Sequence, residues 1–383
     1  MEGIAGQKSR LTWAVNISVV LMVVIWLIPT VGLLVSSFRD RDQINRSGWW
    51  DAAFSVSQNY RTVGDLETLA RQDGVYVVTG NVFTDGNNAD AFAQGPGTVT
   101  AFGDSGRAPA EYKAGTVADL GEGETLSVAA DGGYRYTASK EFDRGPRIYF
   151  RAKSPPHFTL DNYRIVLSAD NMDQAFINTL TVTIPATIIP ILIAAFAAYA
   201  LAWMEFPARG ILIAAVVGLL VVPLQLALVP LLRLHQQVGI GQSFLGIWLA
   251  HTGFGLPLAI YLLRNYMVGL PRDIIESAKV DGATDFQVFV KIVLPLSFPA
   301  LASFAIFQFL WTWNDLLVAK VFLPSTDEAK VMTVKIADDL LGSRGGDWGI
   351  LASAAFVSIA VPLLVFFTMQ RYLVRGLLAG SVK

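Results

Sequence analysis

The chain has 383 residues, 53% of them hydrophobic and only 16% charged, with a mean hydropathy of +0.47, and this balance excludes an ordinary soluble domain of the same size. A formal net charge of −2 points to no nucleic-acid partner, and the lack of cysteine excludes disulfides, thiolate nucleophiles and cysteine-rich zinc sites. His157, His235 and His251 lie too far apart in sequence to form a local metal motif, so no metal site is expected.

A bilayer core of about 30 Å is crossed by roughly 20 apolar residues in a helix. Six predominantly apolar runs reach that length. The first, Thr12 to Ser36, follows Lys8 and Arg10; it is too long for a signal-peptide core and lacks a small-x-small cleavage site, so it reads as a retained anchor and, with its flanks, as a segment 1–42. The stretch 43–157 that follows is rich in Gly, Asp and Thr. Its segments Gly74 to Gly80, Gly97 to Ala101 and Arg147 to Arg151 are β-branched or aromatic and bounded by turn residues, which predicts a small, mostly β insert. Within it, Gly103-Asp104-Ser105-Gly106 looks like the surroundings of a serine nucleophile, but every histidine follows that serine in the chain, against the chymotrypsin-like order.

The remaining runs are Phe176 to Trp203, Ile211 to Leu232, Phe244 to Leu263, Ser297 to Leu323 and Ile350 to Met369, within a core segment 158–383. They are continuous instead of alternating, so helices and not barrel strands are expected. Pro185, Pro190, Pro223, Pro230, Pro257 and Pro362 interrupt them. Each removes a backbone donor, which is tolerated where neighbouring helices or a cavity satisfy the freed carbonyl. With the N-terminus inside, Lys8, Arg10, Arg209, Arg264, Arg272, Lys279, Lys291, Arg371, Arg375 and Lys383 fall in the cytoplasm, against Arg233, Lys320, Lys330, Lys335 and Arg344 outside, which places both termini in the cytoplasm.

Between the fourth and fifth runs, 265–296, comes a polar loop. Pro271 and Asp273 suit a helix start, Gly282 suits a left-handed stop, and Thr284 with Gln287 makes a capping-box start for a second helix. Glu276, Ser277, Ala278, Asp281 and Gly282, followed by Ile292, Leu294 and Pro295, resemble the EAA-x₃-G-x₉-I-x-L-P signature of permease subunits in binding-protein-dependent ABC importers. Ser277 departs from the family's alanine. By resemblance this loop docks on a separate ATPase: Glu276 meets a cation there, Ala278 allows close approach, and Ile292 and Leu294 tie the second helix to the bundle.

The likeness extends to Phe158 to Tyr163, Ala197 to Leu201, Trp313-Asn314-Asp315 and the tail from Gln370, which is similar to the smaller, G-type permease of maltose and α-glucoside importers. Trp203 stands where that family often has a basic residue, leaving Arg209 as the nearest cation, and the insert is longer than usual. The resemblance implies an all-α polytopic fold with six transmembrane helices of the type I ABC importer permease kind, carrying a β-rich extracytoplasmic insert between the first two. It implies a location in a bacterial inner membrane. Implied partners are a second, F-type permease subunit, an ATPase homodimer holding ATP and Mg, a periplasmic sugar-binding protein and membrane lipid, with no cofactor bound by this chain. The tail residues Gly376, Gly380, Ser381 and Lys383 would reach the ATPase, and the outer loop from Pro324 to Gly349 would probe the sugar receptor.

Gln225, Gln308, Asn314 and Asp315 interrupt the apolar runs; they either line a sugar path or bond one helix to another, and the last two also suit the headgroup level. No G-x₄-G-K-[S/T] loop or Gly-Lys pair occurs, so phosphate handling falls to another chain. Two rival readings, a secondary transporter and a membrane-anchored enzyme acting through the insert, require inverted repeats with midplane carboxylates or a convergent catalytic set. Neither pattern is found in the sequence.

Overall fold

The computed structural model describes residues 10–379, apart from 73, 89–91, 93–96, 142, 170 and 341–346. The chain divides into two compact units, Met1–Asn162 and Tyr163–Lys383.

The first unit opens with α1 (Arg10–Ser37), 28 residues with exposed apolar side chains along most of its length. Beyond it, a neck closes on itself. The Arg39 side chain, 2% exposed, donates to the carbonyls of Gln43, Ser47 and Gly48 at the end of α2 (Arg41–Arg46), and burial holds its guanidinium below the usual range. From the other end of the insert, Asn162 Nδ2 donates to Ser37 O (3.0 Å) and Arg39 O (2.8 Å), and His157 Nδ1 lies 3.1 Å from Asp40 Oδ2.

Among the described residues, nine strands follow the neck: β1 (Val56–Val63), β2 (Ala70–Gln72), β3 (Val75–Asn81), β4 (Thr98–Gly103), β5 (Tyr112–Lys113), β6 (Val117–Gly121), β7 (Glu124–Val128), β8 (Gly133–Ala138) and β9 (Arg147–Ser154). They form two antiparallel sheets in the orders β1-β9-β4-β5 and β2-β3-β8-β7-β6. Period-two patterning explains why they pair face to face: along β9, Ile148, Phe150, Ala152 and Ser154 are buried while Arg147, Arg151 and Lys153 are exposed. Phe150 stands opposite both Tyr60 and Phe102, and with Val78, Leu126 and Val128 from the second sheet these residues make one core. At its edge Tyr134 donates to Asp85 Oδ2 (2.8 Å), and burial together with that bond pushes its phenol up. Ser105 has no catalytic setting: its hydroxyl accepts the Arg107 N–H, while His157 is engaged with Asp40.

The second unit begins within α3 (Asp161–Leu167) and continues with α4 (Met172–Trp203), α5 (Arg209–Leu219), α6 (Leu224–Gln237), α7 (Phe244–Val268), α8 (Arg272–Val280), α9 (Asp285–Val288), a wide turn at Phe289–Val293, α10 (Leu294–Leu296), α11 (Phe298–Trp313), α12 (Leu317–Phe322), α13 (Met332–Lys335), a second wide turn at Ile336–Leu340 and α14 (Trp348–Ala379). Among the described residues, four helices of the chain (α1, α4, α7, α14) are long and apolar enough to cross a membrane; the number reaches six if two bent pairs each count as one span.

Those bent pairs differ from the sequence expectation. The run Ile211 to Leu232 is broken into α5 and α6, which meet at 109°, because Pro223 cannot donate and caps α6 in an extended conformation (ψ 125°). The run from Ser297 ends early. α11 stops at Asn314, and Asp315 accepts the backbone N–H groups of Val318 (3.3 Å) and Ala319 (2.9 Å), starting α12 as a separate helix. The prolines that remain inside α4 and α14 have a common arrangement. Pro185, Pro190 and Pro362 each deprive the residue four positions earlier of its helical donor, and a side chain from another helix fills each vacancy: Trp248 Nε1 donates to Thr181 O (2.9 Å), Gln308 Nε2 to Ala186 O (3.1 Å) and Trp313 Nε1 to Ser358 O (2.8 Å).

Replacing Gln308 by Leu orphans the Ala186 carbonyl and is expected to cost about 1–2 kcal/mol. In a Pro190→Ala background, where the substituted residue supplies the helical N–H that proline lacks, the same change is expected to cost less; thermal unfolding of the four members of this cycle measures the coupling.

Candidate functional site

The loop between α7 and α11 is built by local chemistry at each end. Pro271 stands at the N-cap of α8 with φ −59°, and Asp273 lies in the first turn, facing the positive helix end. At the other end the Asp281 N–H donates to Ser277 O, that of Gly282 to Lys279 O and that of Ala283 to Ala278 O, each at 3.0 Å. Gly282 adopts φ +86°, the left-handed geometry that closes a helix at little cost only for glycine. Two residues on, Thr284 Oγ1 accepts the Gln287 N–H (3.3 Å) while Gln287 Oε1 accepts the Thr284 N–H (2.9 Å), completing both halves of a capping box. Lys279 and Asp285 form an ion pair (3.0 Å) that ties α8 to α9.

This helix-turn-helix is seated on the bundle by its inner face. Ile275 (1% exposed), Val288, Phe289 and Val293 join Ala194, Ala195, Ala198 and Tyr199 of α4, Leu263 and Met267 of α7, and Phe304 of α11 in one apolar cluster. The Phe289 ring packs in tilted contact with Phe196 and Tyr199, with centroids at 4.7 and 5.2 Å, and Tyr199 Oη donates to Asp285 Oδ1 (3.3 Å). Just below, Trp203 Nε1 donates to Met267 O (3.0 Å). Arg209 turns back to the last carbonyls of α4, Leu201 O (3.0 Å) and Ala202 O (3.1 Å), as the anchoring cation the sequence suggests.

Several site residues sit differently from the expectation. Ala278 is half-buried against the bundle instead of offered outward, and Leu294 packs beside it; Ile292 is half-buried and Val293 carries the tighter contact. Glu276 and Asp281 are exposed with no ion-pair partner among the described residues, and Ser277 Oγ donates to Asp273 O (2.6 Å). What projects outward is apolar: Ile274 (46% exposed), Phe286 (65%) and Val280 (86%). Their spacing between charged neighbours is a legible signal, since two short polar surface helices rarely expose three large apolar groups within thirteen residues. At Pro295 the helical path continues: the wide turn before it lets Leu294 N–H reach Phe289 O, and the chain bends by 69° at Ser297.

Of the residues read as path or glue, Gln308 is 2% exposed and bonds α11 to α4, with its amide against Gly255 of α7. Gln225 is exposed on the first turn of α6, and Asn314 donates to Leu310 O (2.9 Å). Gln308 also borders a groove of about 620 Å³ lined by Leu220, Leu224, Phe254, Phe307 and Trp311. Gly376 lies in the final turns of α14, where side chains are outside the described set, and Gly380, Ser381 and Lys383 lie outside the described residues altogether.

On the segment after α12, Asn178 Nδ2 of α4 donates to Glu328 O (2.7 Å) and Lys330 O (3.0 Å), and Thr179 Oγ1 accepts the Met332 N–H (2.9 Å). Lys330 bridges Asp327 (2.6 Å) and Asp339 (3.0 Å), Lys335 reaches Asp339 (2.5 Å), and Lys320 pairs with Asp338 (2.7 Å). No group of three metal-ligating side chains is arranged to hold an ion among the described residues.

Residues 170–378 match the family described as "Binding-protein-dependent transport system inner membrane component". Over 385 residues, 98% of this chain and 98% of the relative, the chain is 58% identical to the alpha-glucoside transport system permease protein AglG of Rhizobium meliloti (strain 1021). It is also 58% identical, over 236 residues covering 62% of this chain and 79% of the other, to the osmoprotective compounds uptake permease protein GgtD of Synechocystis sp.. With the trehalose transport system permease protein SugB of Mycobacterium tuberculosis it shares 37% identity over 231 residues, 60% and 84% of the two chains.

The ion pairs carry a pH dependence. Burial opposes the charge on Asp339, but hydrogen bonds from Lys335 and Lys330 outweigh it and hold the carboxyl below its ordinary value of 3.8. Hydrogen bonds to Asp327 and Asp339 hold Lys330 above its ordinary 10.5. A lowered carboxyl contributes stability above its unfolded pKa that is lost as pH falls through the folded value, and a raised lysine contributes stability that is lost as pH rises through its folded value. The hydrogen-exchange protection of 327–340, taken relative to the intrinsic exchange rate at each pH, is therefore expected to stay constant between the two ordinary values and to fall in acid and in strong base.

Proposed function

The chain belongs to the family of inner-membrane components of binding-protein-dependent transport systems, and from that premise we propose that it is the permease subunit of an ABC importer for sugars, with α-glucosides as cargo. The observation that carries this reading is the α8–α9 bracket: a polar helix-turn-helix, closed by Gly282 and a complete capping box, with its inner face in the apolar cluster and its outer face free. Identity to an α-glucoside permease along the whole chain, insert included, supports the choice of cargo.

In this proposal the chain crosses the inner membrane six times, each bent pair counting once, with both termini in the cytoplasm. An ATPase homodimer, which holds ATP and Mg, docks on the bracket. Glu276 supplies the charged contact, while Ile274, Val280 and Phe286 supply apolar area at about 25 cal/mol per Å² buried. Movement of the ATPases passes through Ile275, Val288 and Phe289 into α4, α7 and α11 and changes which side of the bundle is open. An F-type permease subunit and a periplasmic sugar-binding protein complete the assembly, and the C-terminal residues Gly376 to Lys383 reach the ATPase. Gln308 is glue in this scheme, since its amide is committed to Ala186 O.

Reversing the exposed charge in Glu276→Lys, or straining the turn in Gly282→Val, is expected to abolish co-purification of the ATPase and sugar uptake while membrane levels of the chain persist. α-Glucosides presented by the receptor are expected to stimulate ATP hydrolysis by the reconstituted complex above other saccharides. Uptake by the chain alone, or full ATPase binding by both variants, would refute the proposal.

A further inference from the structure

Four elements of the second unit meet around one small enclosed space. It is lined by Thr183 of α4, His251 of α7, Thr312 of α11 and Asp315 at the break before α12, closed off by Ile247 and Trp313. Thr183 and His251 are fully buried and Thr312 is 4% exposed. Both threonine hydroxyls and both imidazole nitrogens lack a hydrogen-bond partner among the described residues. Thr179, Thr181 and Thr252 return their hydroxyls to the carbonyl four residues back at 2.7, 2.9 and 2.7 Å, whereas Thr183 and Thr312, like Thr187 one turn further along α4, make no such bond among the described residues; of these three, Thr183 and Thr312 face the cavity. His251 Nε2 lies 3.9 Å from Asp315 Oδ2, too far for a direct hydrogen bond, and that oxygen also accepts the Ala319 N–H.

We propose that this cavity is a binding site for one ordered water molecule, which bridges His251 to Asp315 and to the hydroxyls of Thr183 and Thr312. Its size, about 10 Å³ of room for the water centre, suits a single molecule. The chemistry suits water better than a cation. An imidazole and two hydroxyls present donors as well as acceptors, and water has two of each to match them; a hard cation needs about six oxygen ligands and has no use for an N–H. The site lies where α11 gives way to α12, so the water forms a joint among four helices. A bridged joint re-forms after a small slide of one helix, where a direct side-chain bond would have to break and find another partner.

The test uses the full-length chain extracted with the subunits that accompany it. A high-resolution density map of the wild type is expected to show a peak within hydrogen-bonding distance of these side chains. Thr183→Val and Thr312→Val keep the shape and remove one partner each, so each is expected to lower the unfolding midpoint by about 2–4 °C. The double variant is expected to lie no lower than the worse single variant, because either change already unseats the water. A dry cavity predicts the opposite sign, since replacing an unsatisfied buried hydroxyl by a methyl raises the midpoint. A rise in the midpoint, an empty map where other internal waters are resolved, or a midpoint that follows sodium against choline would overturn the proposal.

Discussion

The bundle depends on what happens to main-chain carbonyls where a helix cannot bond to itself. In a membrane-crossing unit no bulk water reaches the interior to satisfy them, so a proline inside a span can create a demand for a neighbour to meet. Pro185, Pro190 and Pro362 create three such demands, and Trp248, Gln308 and Trp313 meet them from other helices. The bonds run between α4 and α7, between α4 and α11, and between α14 and α11. Positions that weaken individual helices are thereby the positions that join them.

The same economy of local bonding shapes the bracket. Its geometry is set by groups that satisfy one another within a few residues, the left-handed Gly282, the reciprocal Thr284 and Gln287 bonds and the Lys279–Asp285 pair. It is held to the bundle by a different interaction, the burial of Ile275, Val288, Phe289 and Val293. A rigid local frame on an apolar seat moves as one body with the spans beneath it. Were the frame attached by exposed ion pairs alone, each worth about 0–1 kcal/mol, force on it would bend the loop before moving a helix.

How much was legible follows from how local the cause is. Gly282, the capping box, the end of α4 at Trp203 and the start of α7 at Phe244 are written in short windows, and reading them required no knowledge of the rest of the fold; α4 begins four residues before the apolar run and α7 continues five beyond it. Apolar composition reports the medium a residue occupies but carries no direction, so Ile211 to Leu232 read as one rod although α5 and α6 meet at 109°. Asp315 looked like a polar intruder in a span; its two backbone bonds show it to be the start of a new helix. Ala278 faces inward and Val280 and Phe286 outward because helix phase is fixed by what lies beneath Ile275, which is far away in sequence. The pairing of the strands into two sheets was likewise beyond reach, since three β-rich segments indicate strands but not their partners.

The neck of the first unit has an evolutionary corollary. Asn162 returns to the carbonyls of Ser37 and Arg39, and His157 to Asp40, so the β domain leaves and re-enters the chain at nearly the same point. A domain joined in that manner behaves as a cassette: lineages can acquire, trade or discard it through one recombination locus without re-threading the helices on either side.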